Sequence, residues 1–175
     1  MGVNYLELYR LSLNNAKDLN RESEILFDNQ CYSRSYFLAF SGLEEVSKAI
    51  YSADVVTGLK SEELFKKFYT NHKKKSSRMK WAHLDSNNPY YDFIRNTLGQ
   101  GTSKQINISE PNFKKRQESL YVDVDWDSFD IYSPENEITK EDALGIRNIL
   151  ENALYQIWDT TENWGHTIGT KGFMK

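Results

Sequence analysis

Residues 36–53, YFLAFSGLEEVSKAIYSA, constrain the fold more than any other stretch of the chain. At about 100° per residue, Tyr36, Ala39, Phe40, Leu43, Val46, Ile50 and Ala53 share one broad helical face. Phe37, Leu38, Ser41, Ser47 and Ala49 occupy much of the remaining circumference, so the helix is apolar or small nearly all round. A helix of this kind is central, with other elements packed on several sides. Glu44, Glu45 and Lys48 interrupt it, and buried charge without a partner is costly. Two arrangements satisfy them. Lys48 pairs internally, with Glu44 at i,i+4 or Glu45 at i,i+3, or the three form a polar cluster facing a second helix or a ligand.

The 175 residues suit one domain with a sizeable core, expected over 1–165 with a flexible tail at 166–175. Hydrophobic residues at 39% and charged residues at 27% argue for a globular chain rather than a disordered one. Three prolines and nine glycines are too few for a sandwich or barrel with frequent turns, so the expected class is all-α. A net charge of −3 exerts no global pull on nucleic acid, and any such binding needs a local basic patch. Cys31 is the single cysteine, which excludes an internal disulfide and suits a cytoplasmic chain. The N-terminus lacks an apolar signal core, and Leu6 breaks the myristoylation pattern. No run approaches the roughly 20 apolar residues that span a bilayer, so no membrane association is expected.

In chain order, apolar periodicity predicts a first long helix over 4–28, a turn at Asp28–Gln30, and the central helix over 32–56 ended by Gly58. Ser61 is an N-cap for a third helix running to about Leu84, with Phe65, Phe68, Tyr69, His72, Ser76, Met79 and His83 on its inward stripe. A turn at Asn87–Pro89 and a short helix over 90–98 follow, then another short helix from Pro111 to Leu120. The acidic, aromatic segment 121–136 reads as an ordered loop, extended over 120–124. Thr139-Lys-Glu-Asp resembles a capping box that opens the last long helix, with Ala143, Ile146, Leu150, Leu154, Ile157 and Trp158 inward. The architecture is therefore four to five main helices with a long irregular connection before the last.

The third helix carries the chemistry-bearing residues. His72 and Lys75 lie three apart on one face; histidine transfers protons near neutral pH, and lysine or arginine stabilises a phosphate dianion. Arg78 and His83 form R-x4-H, which fits the R-x4-6-H signature of HEPN ribonucleases. On an unbroken helix these two would diverge by about 140° in projection. A kink, or a dimer interface, would bring them together. Lys73, Lys74 and Lys80, with Lys114, Lys115 and Arg116, make either a solvated charged face or a phosphate-backbone surface for RNA. Asp123, Asp125 and Asp127 imitate the start of a calcium loop, but Ser128 and Pro134 replace its glycine and glutamate. No zinc spacing, P-loop or G-x-G-x-x-G occurs, so neither a metal nor a cofactor is expected.

The order of motifs resembles the AbiV-like abortive-infection family of the HEPN superfamily. The matching pieces are Asn15-Ala16, AFSGLEEVSKA over 39–49, FYTNHKKK over 68–75 and RQESLYVD over 116–123, then Pro134 and the terminal helix. The family's EE-x-x-K falls on Glu44, Glu45 and Lys48, and its H-x-x-K on His72 and Lys75. The resemblance implies a HEPN-type helical bundle, commonly a homodimer, that defends against bacteriophage by shutting down the infected cell at the level of RNA or translation. HEPN ribonucleases are metal-independent, and in them a histidine and an arginine handle the 2′-hydroxyl and the scissile phosphate. The chain departs from catalytic relatives at Met79, where they carry a polar residue.

Two functions of different classes follow. In the first, the chain is an endoribonuclease with His72 or His83 as general base or acid and Lys75 and Arg78 stabilising charge. Glu44, Glu45 and Lys48 support that array. In the second, it is a non-catalytic module that binds RNA, the ribosome or a phage protein through the lysine face and the aromatic 121–132 loop, a phage protein being also an expected activator. A purely structural role for the Glu/Lys/His cluster is the third reading.

Overall fold

The computed structural model describes residues 2–58, 60–71 and 110–158. Helix α1 (Tyr5–Asp28) is capped by Asn4, whose side chain accepts the Glu7 N–H at 3.1 Å. Asn29 and a left-handed Gln30 (φ 62°) make the turn into α2 (Tyr32–Val56). Thr57 and Gly58 end α2, and the glycine's φ of 72° is one that other residues adopt at a cost. Helix α3 (Glu62–Tyr69) starts at Ser61, whose hydroxyl accepts the Leu64 N–H at 3.2 Å.

The expectation that this third helix continues unbroken to residue 84 is corrected: α3 ends at Tyr69. Thr70 is its C-cap, with its hydroxyl donating to the Lys66 carbonyl at 3.4 Å, and the Asn71 N–H turns back to the Phe68 carbonyl at 3.0 Å. Threonine and asparagine both offer the backbone local alternatives to the helical ladder, and here two occur in succession. The turn at 87–89, the helix at 90–98 and the tail fall outside the described residues.

Helix α4 (Glu110–Glu118) holds Pro111 in its first turn, where a missing N–H costs nothing. A small antiparallel hairpin follows, β1 (Asp123–Val124) against β2 (Ile131–Tyr132), with Asp123 opposite Tyr132 and Val124 opposite Ile131. The extended segment expected at 120–124 is thus one short arm of a hairpin. One turn of helix, α5 (Pro134–Glu137), leads to α6 (Lys140–Trp158). The capping box is present: Thr139 Oγ1 accepts the Asp142 N–H at 3.1 Å, and the Asp142 carboxylate accepts the Thr139 N–H at 3.2 Å.

Among the described residues the fold is all-α apart from the hairpin, and its frame is an αα-hairpin of α1 and α2 with α6 packed on both. All seven residues of the predicted α2 face enter the core, meeting Ala16 of α1 and Ala143, Ile146, Ile149, Leu150 and Ala153 of α6. At Gly42 the three helices pack closely. A Cβ there would lie 2.6 Å from Leu150 Cδ2 and 3.5 Å from the Ala16 carbonyl oxygen. Serines serve the same close approach, and Ser35 donates its hydroxyl to the Ser23 carbonyl at 2.7 Å across the α1–α2 seam. Helix α3 closes the far end through an aromatic group. Phe65 meets Tyr5 edge-on at 5.1 Å, and Phe68 stacks on Tyr51 at 4.3 Å. Among the described residues no helix is long and apolar enough to cross a membrane.

Candidate functional site

The two adjacent glutamates of α2 point to different neighbours. Successive residues on a helix are about 100° apart, and Lys48 projects between the two glutamates; Glu44 meets Arg116 of α4, while Lys48 pairs with Glu45 and reaches Tyr69 of α3. Glu45 and Lys48 form an ion pair at 2.5 Å, with side chains only 19% and 14% exposed. Of the two internal pairings open to the sequence, the i,i+3 pair is the one observed. Lys48 also lies over the Tyr69 ring, 5.6 Å from its centroid. Tyr69 was expected on the inward stripe of the third helix. It is instead half exposed, because Phe65 and Phe68 fill the space beneath α3 and leave Tyr69 at its rim, beside Lys48.

Glu44 is buried and meets a second helix: Arg116 of α4 approaches its carboxylate at 3.6 Å. The guanidinium sits over two rings of α2, 5.0 Å from Phe37 and 5.8 Å from Phe40. Planar, weakly hydrated arginine suits such a slot, where a lysine would lose both the stacking and the fork of donors. Arg116, Lys115 and Lys114, expected on either a solvated charged face or a phosphate-backbone surface, each turn to a different carboxylate. Lys115 reaches Asp142 at 2.5 Å, and the exposed Lys114 pairs with Glu118 at 2.9 Å. Burial works against ionisation at Asp142. The hydrogen bond from Lys115 and those from the Thr139 N–H and hydroxyl outweigh it and hold the carboxyl below its usual range. Burial, with the nearby Asp142 and Glu118 charges adding to it, pushes the Tyr36 hydroxyl well above the ordinary tyrosine value.

The structure thus brings Glu44, Glu45 and Lys48 together with Arg116 and Tyr69. His72, Lys73, Lys74, Lys75, Arg78, Lys80 and His83 lie outside the described residues. Sequence reasoning missed the partnership of Phe37, Phe40 and Tyr69 with these cations. No local signal pointed to it, since each ring lies on a different helix from the cation it meets.

A family model described as AbiV, of the HEPN type, matches residues 4–154, most of the chain. The protein belongs to the HEPN AbiV family. Its function is accordingly of the abortive-infection, HEPN type. The match takes in every element from α1 into α6, and so the whole of the Glu44–Arg116 and Glu45–Lys48–Tyr69 arrangement. No curated protein and no solved structure matches the chain.

Proposed function

We propose that this AbiV-family protein acts on RNA or translation as a metal-independent endoribonuclease. His72 or His83 removes the 2′-hydroxyl proton or protonates the leaving 5′-oxygen, and Lys75 and Arg78 stabilise the charge on phosphorus. The observation that carries this reading is the contact of Lys48 with Tyr69 at the end of α3. It ties the paired Glu45–Lys48 face to the point where the chain enters the histidine- and lysine-rich segment. His72 follows Tyr69 by three residues, which span at most about 11 Å. Glu44, Glu45, Lys48 and Arg116 act as a rigid, charge-balanced wall for that site rather than as its reacting groups. Lys73, Lys74 and Lys80, with Lys66 and Lys67 exposed on α3, supply the electrostatic attraction for the RNA backbone. The working form is a cytoplasmic homodimer, in which Arg78 and His83 of two copies meet across the interface, and a phage protein is its activator.

A second reading, a non-catalytic module that blocks translation by binding RNA or the ribosome, is favoured by a specific observation. The α2 charges are neutralised within the chain by Lys48 and Arg116, as a structural cluster would be. One experiment separates the two. Purified wild type and His72→Ala/His83→Ala are incubated with total RNA in EDTA, with folding checked by circular dichroism. Cleavage by wild type, falling at least about 100-fold in the variant, is expected for loss of acid–base groups. No cleavage by either protein, with function lost instead on charge reversal at Lys73, Lys74 and Lys75, gives the binding module.

A further inference from the structure

The hairpin between α4 and α5 exposes more apolar surface than its size requires. Trp126 is 77% exposed, Phe129 75%, Ile131 71% and Val122 67%, all within ten residues of chain. Exposed apolar side chains scattered singly need no explanation, but a cluster of this density on one small projection marks a contact surface. The loop beneath it is ordered. Asp125 Oδ1 accepts the Asp127 N–H at 2.8 Å and the Ser128 N–H at 3.2 Å. The Phe129 N–H closes the turn on the Asp125 carbonyl at 2.7 Å, and the Asp125 N–H donates to the Asp130 carbonyl at 2.9 Å. Phe129 itself has a φ of 62°, a region a bulky aromatic enters at a cost that its exposed ring does not recover within this chain.

Charge selects the occupant. From Tyr121 to Ile138 the sequence holds Asp123, Asp125, Asp127, Asp130, Glu135 and Glu137 and no lysine or arginine. Stacking platforms for single-stranded nucleic acid lie in positive grooves, and phosphates would be repelled here. The same sign opposes an anionic membrane surface and a face-to-face pairing of two copies of the hairpin. What remains complementary is a protein surface with an apolar cleft rimmed by lysine and arginine, into which the tryptophan and phenylalanine insert as anchors.

We propose that the hairpin 121–132 is a docking site for a basic protein partner. It is separate from the α2–α3–α4 charge cluster and independent of whether the protein cleaves RNA. The partner's cleft takes Trp126 and Phe129, and its rim cations pair with the aspartates, which steer association and make it salt-sensitive.

A random 12-residue peptide library, selected on the full-length protein, supplies the probe. Enriched peptides are expected to combine aromatic or aliphatic residues with lysine or arginine. Their affinity should fall at least tenfold in Trp126→Ala, in Phe129→Gly and in Asp125→Asn/Asp127→Asn, and fall with added salt for wild type. Phe129→Gly removes the strained φ, so its melting temperature should match or exceed that of wild type while binding is lost. The proposal is overturned if no enriched peptide depends on the hairpin. It is equally overturned if Trp126→Ala weakens binding of a 20-nucleotide single-stranded RNA instead, or if that variant shifts the sedimentation of the protein to a smaller species.

Discussion

The ion pair between Glu44 and Arg116 illustrates how one side chain can be indispensable without the pair being strongly stabilising. Arg116 is 15% exposed and Glu44 9%, so each has lost most of its hydration, and their mutual attraction at 3.6 Å offsets only part of that loss. Removing one partner leaves the other desolvated. Glu44→Gln and Arg116→Gln should each lower stability by about 2–4 kcal/mol, since breaking a buried pair is strongly destabilising. The double variant should lie well short of the sum, with about 1–2 kcal/mol of coupling. Urea denaturation of the four proteins measures it, and strict additivity would mean the two side chains do not interact. Lys48 is attended in the same way, by the Glu45 carboxylate and by the Tyr69 ring.

At the scale of elements, the contact of α1, α2 and α6 depends on what Gly42 lacks. A methyl group there would meet the two Cδ atoms of Leu150, which is fully buried. Gly42→Ala should therefore destabilise by about 1–3 kcal/mol despite alanine's better helix propensity, the usual cost of overfilling a packed core. Thermal melts decide it, and a stabilised variant would show that α6 can shift away. The helices themselves were legible: the α2 face reads straight from its period, and Ser61 and Thr139 announce two helix starts through their capping side chains. The stop at Tyr69 was not legible, because an apolar stripe at helical spacing continues past it in the sequence. Periodicity reports what a helix would bury and says nothing of Thr70 diverting the backbone. The partner of Glu44 was equally hidden. Arg116 is distant in sequence, and three consecutive cations at 114–116 look alike until packing sends each to a separate carboxylate.

Across the whole molecule, carboxylates near α6 give its stability a pH dependence of mixed sign. Asp142, held below its usual range in the folded state, contributes stability that is present above its unfolded pKa and is lost as pH falls through the folded value. Glu151 runs the other way. Burial raises it, Glu24 adds to the effect and Arg147 opposes it, so its contribution is present at acid pH and is lost as pH rises through the folded value. Asp142→Ala should cost about 1 kcal/mol at pH 7, the scale of a lost capping side chain, and less at pH 3. Glu151→Gln should gain on wild type between pH 4 and pH 7. Parallel denaturation at three pH values checks both signs. The placing of Glu44 against α4 and of Lys48 against α3 has a mechanical consequence as well. Helix α2 works as a spindle keyed at Glu44 and Lys48, about one turn apart along its axis and about 40° apart in projection, one key set by Arg116 and the other by Tyr69. The rotational phase of the central helix is therefore over-determined, and damage to a single key leaves its orientation still fixed.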